Sequence, residues 1–205
     1  MSIVCAAIKD DAIAIAADTQ MSMGSLSVTA GDLKNCDKLF KVNDSVIGFV
    51  GWKAMSTMLE NIMTEKEGLF VLDDRKKIYK TLMQLHQEMK KHYFLETSED
   101  YGQPVESMQL DALIINKGGI YEISSYRDVN QYSRFWAIGS GARLGLGAME
   151  ALYDRGMNAE ELVTAGVEAG AKFDSGCSLP VSCEVLKRNA EPYVSILSRT
   201  RECWK

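Results

Sequence analysis

Apolar positions in the first fifty residues recur with a period of two and are interrupted by turn-forming pairs. Ser2 to Ile8 and Ala12 to Ala17 are two such runs joined at Lys9-Asp10-Asp11, which predicts a hairpin beginning almost at the terminus. Terminal residues usually make too few contacts to be held, so this terminus is expected to be core itself. Leu39 to Val42, a turn at Asn43-Asp44 and Val46 to Val50 repeat the device.

At Trp52 the period lengthens to about 3.6, with Met55, Met58, Leu59, Ile62 and Met63 on one helical stripe. Asp73 is expected to open a longer helix, which buries Ile78, Leu82, Leu85 and Met89 and leaves His86 and His92 on its exposed side. Residues Glu96 to Met108 are polar and contain Tyr101-Gly102-Gln103-Pro104, a loop signature, before a strand from Leu110 to Ile115. A turn at Gly118-Gly119 leads into a strand from Ile120 to Ser124.

The second half repeats the order. A short apolar strand ends at Gly139, a Gly/Ala-rich helix follows from about Ala142 to Tyr153, and Gly156 marks its end. Asn158 with Glu161 reads as a capping box opening a helix to about Phe173. The small residues on both helices allow close approach to the layer beneath. Strands at about Val181 to Lys187 and Tyr193 to Leu197, around a turn containing Pro192, complete the series. Helix pairs alternating with hairpins predict an α+β fold, antiparallel sheets between two helical layers in a four-layer αββα sandwich.

Composition narrows the function. The chain has 205 residues, 46% of them apolar and 25% charged, which suits one soluble domain over 1–205 with a tail at about 198–205 left unassigned. Its net charge of -5, with no basic tract longer than a lysine pair, argues against nucleic acid. No run of apolar residues is long enough to span a membrane. The opening lacks the basic region of a signal peptide, and Lys9-Asp10-Asp11 splits it. Five cysteines without a C-x-x-C pair imply reduced thiols in a cytoplasmic protein rather than zinc or a redox couple. The Gly-rich segment "IGSGARLGLG" fails as a dinucleotide cradle, because Leu144 stands where the third glycine or alanine is needed. No cofactor is expected.

The ordered set Ser2, Asp18, Lys38, "GFVG" at Gly48 to Gly51, "AIGSG" at Ala137 to Gly141 and "DSGCS" at Asp174 to Ser178 resembles the N-terminal nucleophile hydrolases of the proteasome β-subunit class, the bacterial HslV-like members above all. The likeness runs from Ser2 to about Leu197. Counted back from Asp18, the family's spacing puts the nucleophile at Ser2, so removal of Met1 alone would expose it, with no longer propeptide. In this class the side chain of the first mature residue attacks and its own α-amine is the base. An α-amine titrates near 7.7 to 8.0, close to the poise a base needs, so no histidine is required.

The resemblance further implies that Lys38 lies beside Ser2, held by Asp18. The segment between them is longer than is usual for the family, which leaves Lys34 as a competing candidate. Gly51 would give an N–H to the oxyanion. Ser140 and Asp174 would orient the amine, with Cys177 where the family usually has serine, a weaker donor. By itself Ser140 also fits a helix N-cap. Met21, Phe49 and Lys53 would border the substrate side-chain pocket, Phe49 making it shallow. A serine nucleophile lacks the methyl that fixes threonine's χ1, so a slower peptidase is expected.

The function implied is an endopeptidase acting on peptides or unfolded protein in a ring or double ring of identical subunits, with an ATP-dependent unfoldase as candidate partner. Two alternatives stay open: a catalytically silent assembly protein that keeps Met1, and a small-molecule amidase on the same scaffold. Cys36, Cys203 and the tail "SRTRECWK" have no functional reading.

Overall fold

In the computed structural model, which describes residues 1–188, the first hairpin pairs β1 (Ile3–Lys9) with β2 (Ala12–Asp18). Asp10 makes the turn at φ 54°, a left-handed conformation that aspartate tolerates better than most residues. A second, small hairpin follows, β3 (Met21–Met23) with β4 (Leu26–Val28). Then come β5 (Leu39–Val42) and β6 (Ser45–Val50), turned by Asn43 at φ 53°. Two helices, α1 (Lys53–Glu65) and α2 (Arg75–His92), precede β7 (Asp111–Asn116), β8 (Gly119–Ile123), β9 (Val129–Tyr132) and β10 (Phe135–Gly139). The described chain ends with α3 (Ala142–Leu152), α4 (Ala159–Phe173) and β11 (Val181–Lys187).

The strands form two main antiparallel sheets, ordered β10-β1-β2-β11 and β5-β6-β7-β8-β9. Side-chain alternation along β1 assigns its two faces. Val4, Ala6 and Ile8 meet Val46, Leu113, Ile115 and Ile120 of the other sheet, whereas Ile3, Cys5 and Ala7 face α3 and α4 with Met149, Leu162 and Val167. A strand covered on both sides reads as a continuous apolar run, and β1 is one. The outer face of the five-stranded sheet, with Phe49, Ile114 and Tyr121, packs on Leu59, Ile62, Ile78 and Leu82 of α1 and α2. Helices, two sheets and helices therefore stack as the predicted αββα sandwich. The small residues of α3 and α4 do permit close approach, since Gly145 and Gly170 both sit against Ile3.

Several expectations need correction. The long helix starts at Arg75 with Asp74, not Asp73, as its N-cap, accepting from the N–H groups of Lys76 and Lys77. His86 is not exposed. It is buried at 6% exposure because its ring is the polar centre of a cluster with Glu106 and Arg127. The β7–β8 turn is Lys117-Gly118, with Gly119 already in the strand. The expected strand at Tyr193 to Leu197, Cys203 and the tail lie outside the described residues.

Candidate active site

The hairpin of β1 and β2 ends with Asp18 beside the start of β1, and this register builds the site. Asp18 is fully buried, and its carboxylate is satisfied on both oxygens. Oδ1 accepts from the Ile3 N–H at 2.9 Å and from Lys38 Nζ at 2.6 Å. Oδ2 accepts from the N–H groups of Gln20 at 3.0 Å and Ser178 at 3.3 Å. A buried carboxylate is tolerated only with such partners. Lys38, just before β5, is the lysine that reaches this carboxylate, whereas Lys34 is exposed.

Ser2 is buried at 4% exposure, one residue before β1. Its N–H donates to Ser140 Oγ at 3.2 Å, and Ser140 Oγ lies 3.2 Å from Asp174 Oδ1. One hydroxyl proton serves one acceptor, and the carboxylate is the stronger, so Ser140 accepts from Ser2 and donates to Asp174. The N-cap of α3 is Gly141, without a side-chain cap, which removes the capping role for Ser140. Asp174 also accepts from the Gly176 N–H at 2.7 Å and from Cys177 Sγ at 3.7 Å. Burial, then the Asp18 and Asp174 charges, push the Cys177 thiol up to about 12. It stays protonated near neutrality and donates to Asp174.

Gly139 lets these strands meet. It has φ 93°, and a Cβ there would lie 2.2 Å from the Ser2 carbonyl oxygen. Ser2 Oγ donates to the Met1 carbonyl, and Met1 lines the mouth of the cleft at 61% exposure.

That cleft has a volume of about 380 Å³ and brings Ser2, Lys38 and Gly51 together. Gly51 follows β6 at φ 119°, with open space where a Cβ would stand, and its N–H bonds no other group among the described residues. Met21, Phe49 and Lys53 all line the cleft. Phe49 is buried against Phe40 and floors it, while Lys53 Nζ is held by the Asn35 carbonyl at 2.7 Å. All ten residues singled out in the sequence thus fall at the cleft or in the hydrogen-bonded shell around Ser2.

Other residues had no sequence signal. Gln20 ties the site together by donating from its side chain to the Ser175 carbonyl at 2.9 Å, and Cys36 and Trp52 form part of the cleft wall. Cys36 is a lone thiol in a loop, and only the folded chain brings it here. Among the described residues no cluster of His, Cys, Asp and Glu could hold a metal ion. No helix there is long and apolar enough to cross a membrane.

A family model described as proteasome subunit matches residues 2–176. Two solved structures of BPH from Thiobacillus denitrificans, one in complex with epoxomicin, are each 32% identical to this chain. They cover 92% of this chain and 100% of their own, with TM-scores of 0.83 for the complex and 0.86 for the other. A eukaryotic HslV from Trypanosoma brucei shares the fold at 21% identity and a TM-score of 0.68, over 91% of this chain and 99% of its own. No curated protein matches significantly. A family match that begins at the very serine gripped by Ser140, and identity above 30% sustained along the sandwich, make this chain a member of the proteasome subunit family.

Proposed function

We propose that the chain is a peptidase of the N-terminal nucleophile type, and that Ser2 forms an acyl-enzyme after Met1 is removed. With the amide to Met1 cleaved, the Ser2 nitrogen becomes a free amine at the position now held by Ser140. The amine takes the proton from Ser2 Oγ as Oγ attacks the scissile carbonyl. Lys38 adds positive charge beside the developing alkoxide, and Asp18 keeps the ammonium in place. The Gly51 N–H donates to the oxyanion, and the protonated amine then passes its proton to the leaving nitrogen. Water, deprotonated by the same amine, releases the acyl group. Ser140, Asp174 and Cys177 orient the amine, and Met21, Phe49 and Lys53 receive the substrate side chain. Assembly in a ring of identical subunits, fed with unfolded chains, belongs to the same reading.

The observation that carries this proposal is the bond from the Ser2 nitrogen to Ser140, itself held by Asp174, beside a cleft shared by Ser2, Lys38 and Gly51. A second reading, a silent assembly subunit, applies where Met1 is retained, because its carbonyl then accepts from the Ser2 hydroxyl that would otherwise attack. Intact mass separates the two, a chain beginning at Ser2 supporting the peptidase and one keeping Met1 the silent subunit. In the processed protein, Ser2→Ala and Lys38→Met should each lower peptide cleavage by at least a hundredfold with the fold retained. Epoxomicin, bound by the Thiobacillus protein, should bind here and be lost with Ser2→Ala. Undiminished cleavage by Ser2→Ala sinks the proposal.

A further inference from the structure

The outward face of α2 carries a charge pattern opposed to that of the whole chain, whose net charge is -5. Two grooves run along it and share Arg127. One, of about 630 Å³, is lined by Met83, Lys90, Lys91, Val105 and Arg127 among others. The next, of about 430 Å³, includes Arg75, Lys76, Tyr79, Lys80 and Val129. The acidic residues in these walls are Glu106 and Asp128, and Glu106 is already paired with Lys90 at 2.6 Å. The side-chain ammonium groups of Lys76, Lys80 and Lys91 make no ion pair or hydrogen bond among the described residues.

Arg127 joins the two grooves in a fixed pose. Its Nη1 donates to the Glu106 carbonyl at 2.6 Å and to His86 Nδ1 at 3.2 Å. Since a guanidinium only donates, His86 accepts at Nδ1 and gives its Nε2 proton to Glu106 Oε2 at 3.0 Å. The backbone of Arg127 is at φ 68°, where glycine or asparagine is the usual choice, so an arginine is held there at a conformational cost. Nε and Nη2 make no bond among the described residues and remain for a ligand. Apolar surface interleaves with this charge: Tyr79 and Met83 are 49% and 38% exposed, and Val105 is 45% exposed.

We propose that this face docks an extended acidic segment of a partner protein, its carboxylates on Lys76, Lys80, Lys91 and Arg127 and its apolar side chains on Tyr79, Met83 and Val105. Lys76 to Lys91 spans roughly 22 Å of helix, the reach of about seven extended residues. A second copy of this chain pairing through the same face would oppose like charges, which disfavours a two-fold contact. Residues 189–205 do not complement it, since they contain Arg199, Arg201 and Lys205 against Glu191 and Glu202. A phosphate backbone would use the lysines and Arg127 but leave Tyr79, Met83 and Val105 unmatched, whereas an acidic peptide with apolar side chains uses both.

The test is fluorescence anisotropy on the full chain, with a fluorescein-labelled octapeptide alternating glutamate and leucine. Controls replace glutamate by lysine, or leucine by serine. Saturable binding is expected for the Glu/Leu peptide alone, weakening as salt rises through the physiological range. Lys80→Glu with Lys91→Glu, both exposed, should reduce affinity at least tenfold while circular dichroism stays unchanged. The proposal is overturned if the lysine peptide binds equally, if the double variant binds as well as the parent, or if the Glu/Leu peptide does not bind at low salt. It also fails if the double variant changes the sedimentation coefficient of the assembly, which would make this face a contact between copies. Displacement of the peptide by a DNA oligonucleotide at lower concentration than by unlabelled peptide would assign the face to nucleic acid instead.

Discussion

Asp18 and Cys177 illustrate how one side chain acquires its task from what surrounds it. The Asp18 carboxylate has four donors, so no single one of them defines it, yet together they fix the start of β1, the loop after β2 and Lys38. Cys177 has the opposite character, a buried thiol with a single acceptor in Asp174. Its raised titration point gives a checkable consequence. A thiol whose folded pKa lies above its unfolded value contributes stability that is complete below the unfolded pKa, near 8.5, and is lost as pH rises through about 12. At pH 8 in the native state, iodoacetamide should therefore modify Cys36, which lines the open cleft, and spare Cys177, as peptide mass mapping would record. Modification of Cys177 first would contradict the burial described here. His86 warns against reading one helix alone, because its 3.6-residue position looked exposed until the Glu106 loop and Arg127 closed over it.

Strands and helices with strong periodicity were legible in advance, and those without it were not. The hairpin of β1 and β2, the β5–β6 pair and the Asn158–Glu161 capping box match the structure closely, since turn residues and alternation are local properties. The hairpin of β3 and β4 gives no clear signal because its strands, Met-Ser-Met and Leu-Ser-Val, are only three residues long, too short for their alternation to stand out. The edge strand β9, Val-Asn-Gln-Tyr, escaped because its polar residues pair only along the sheet margin. β10 is the element on which the site depends most. Gly139→Ala should push β10 from β1, costing about 1–3 kcal/mol from the left-handed backbone alone and disturbing the Ser2 carbonyl. Chemical denaturation should record the loss, and cleavage should fall with it. A variant with the parent's midpoint and activity would mean the contact at Gly139 is unimportant.

The four layers stand or fall together because β1 and β2 contribute to two cores at once. Leu113 is fully buried between the sheets, so Leu113→Ala should cost about 2–5 kcal/mol in urea denaturation, whether or not Met1 is removed. A cost below about 1 kcal/mol would mean that the inter-sheet layer collapses to fill the cavity. Residue types and their spacing were enough for the element order, the helical stripes, the turns and the αββα class, because each follows from periodicities of two and 3.6 and from local turn chemistry. They also sufficed, through family likeness, to nominate Ser2, Asp18 and Lys38. Folding alone brought Lys38 and not Lys34 to Asp18, removed the cap alternative for Ser140 and left the contact with the Ser2 nitrogen that the resemblance implied, brought Cys36 to the cleft and buried His86 under Arg127. Each of these rests on residues far apart in the chain, and contact between them is settled by sheet register and layer packing, which no local pattern encodes.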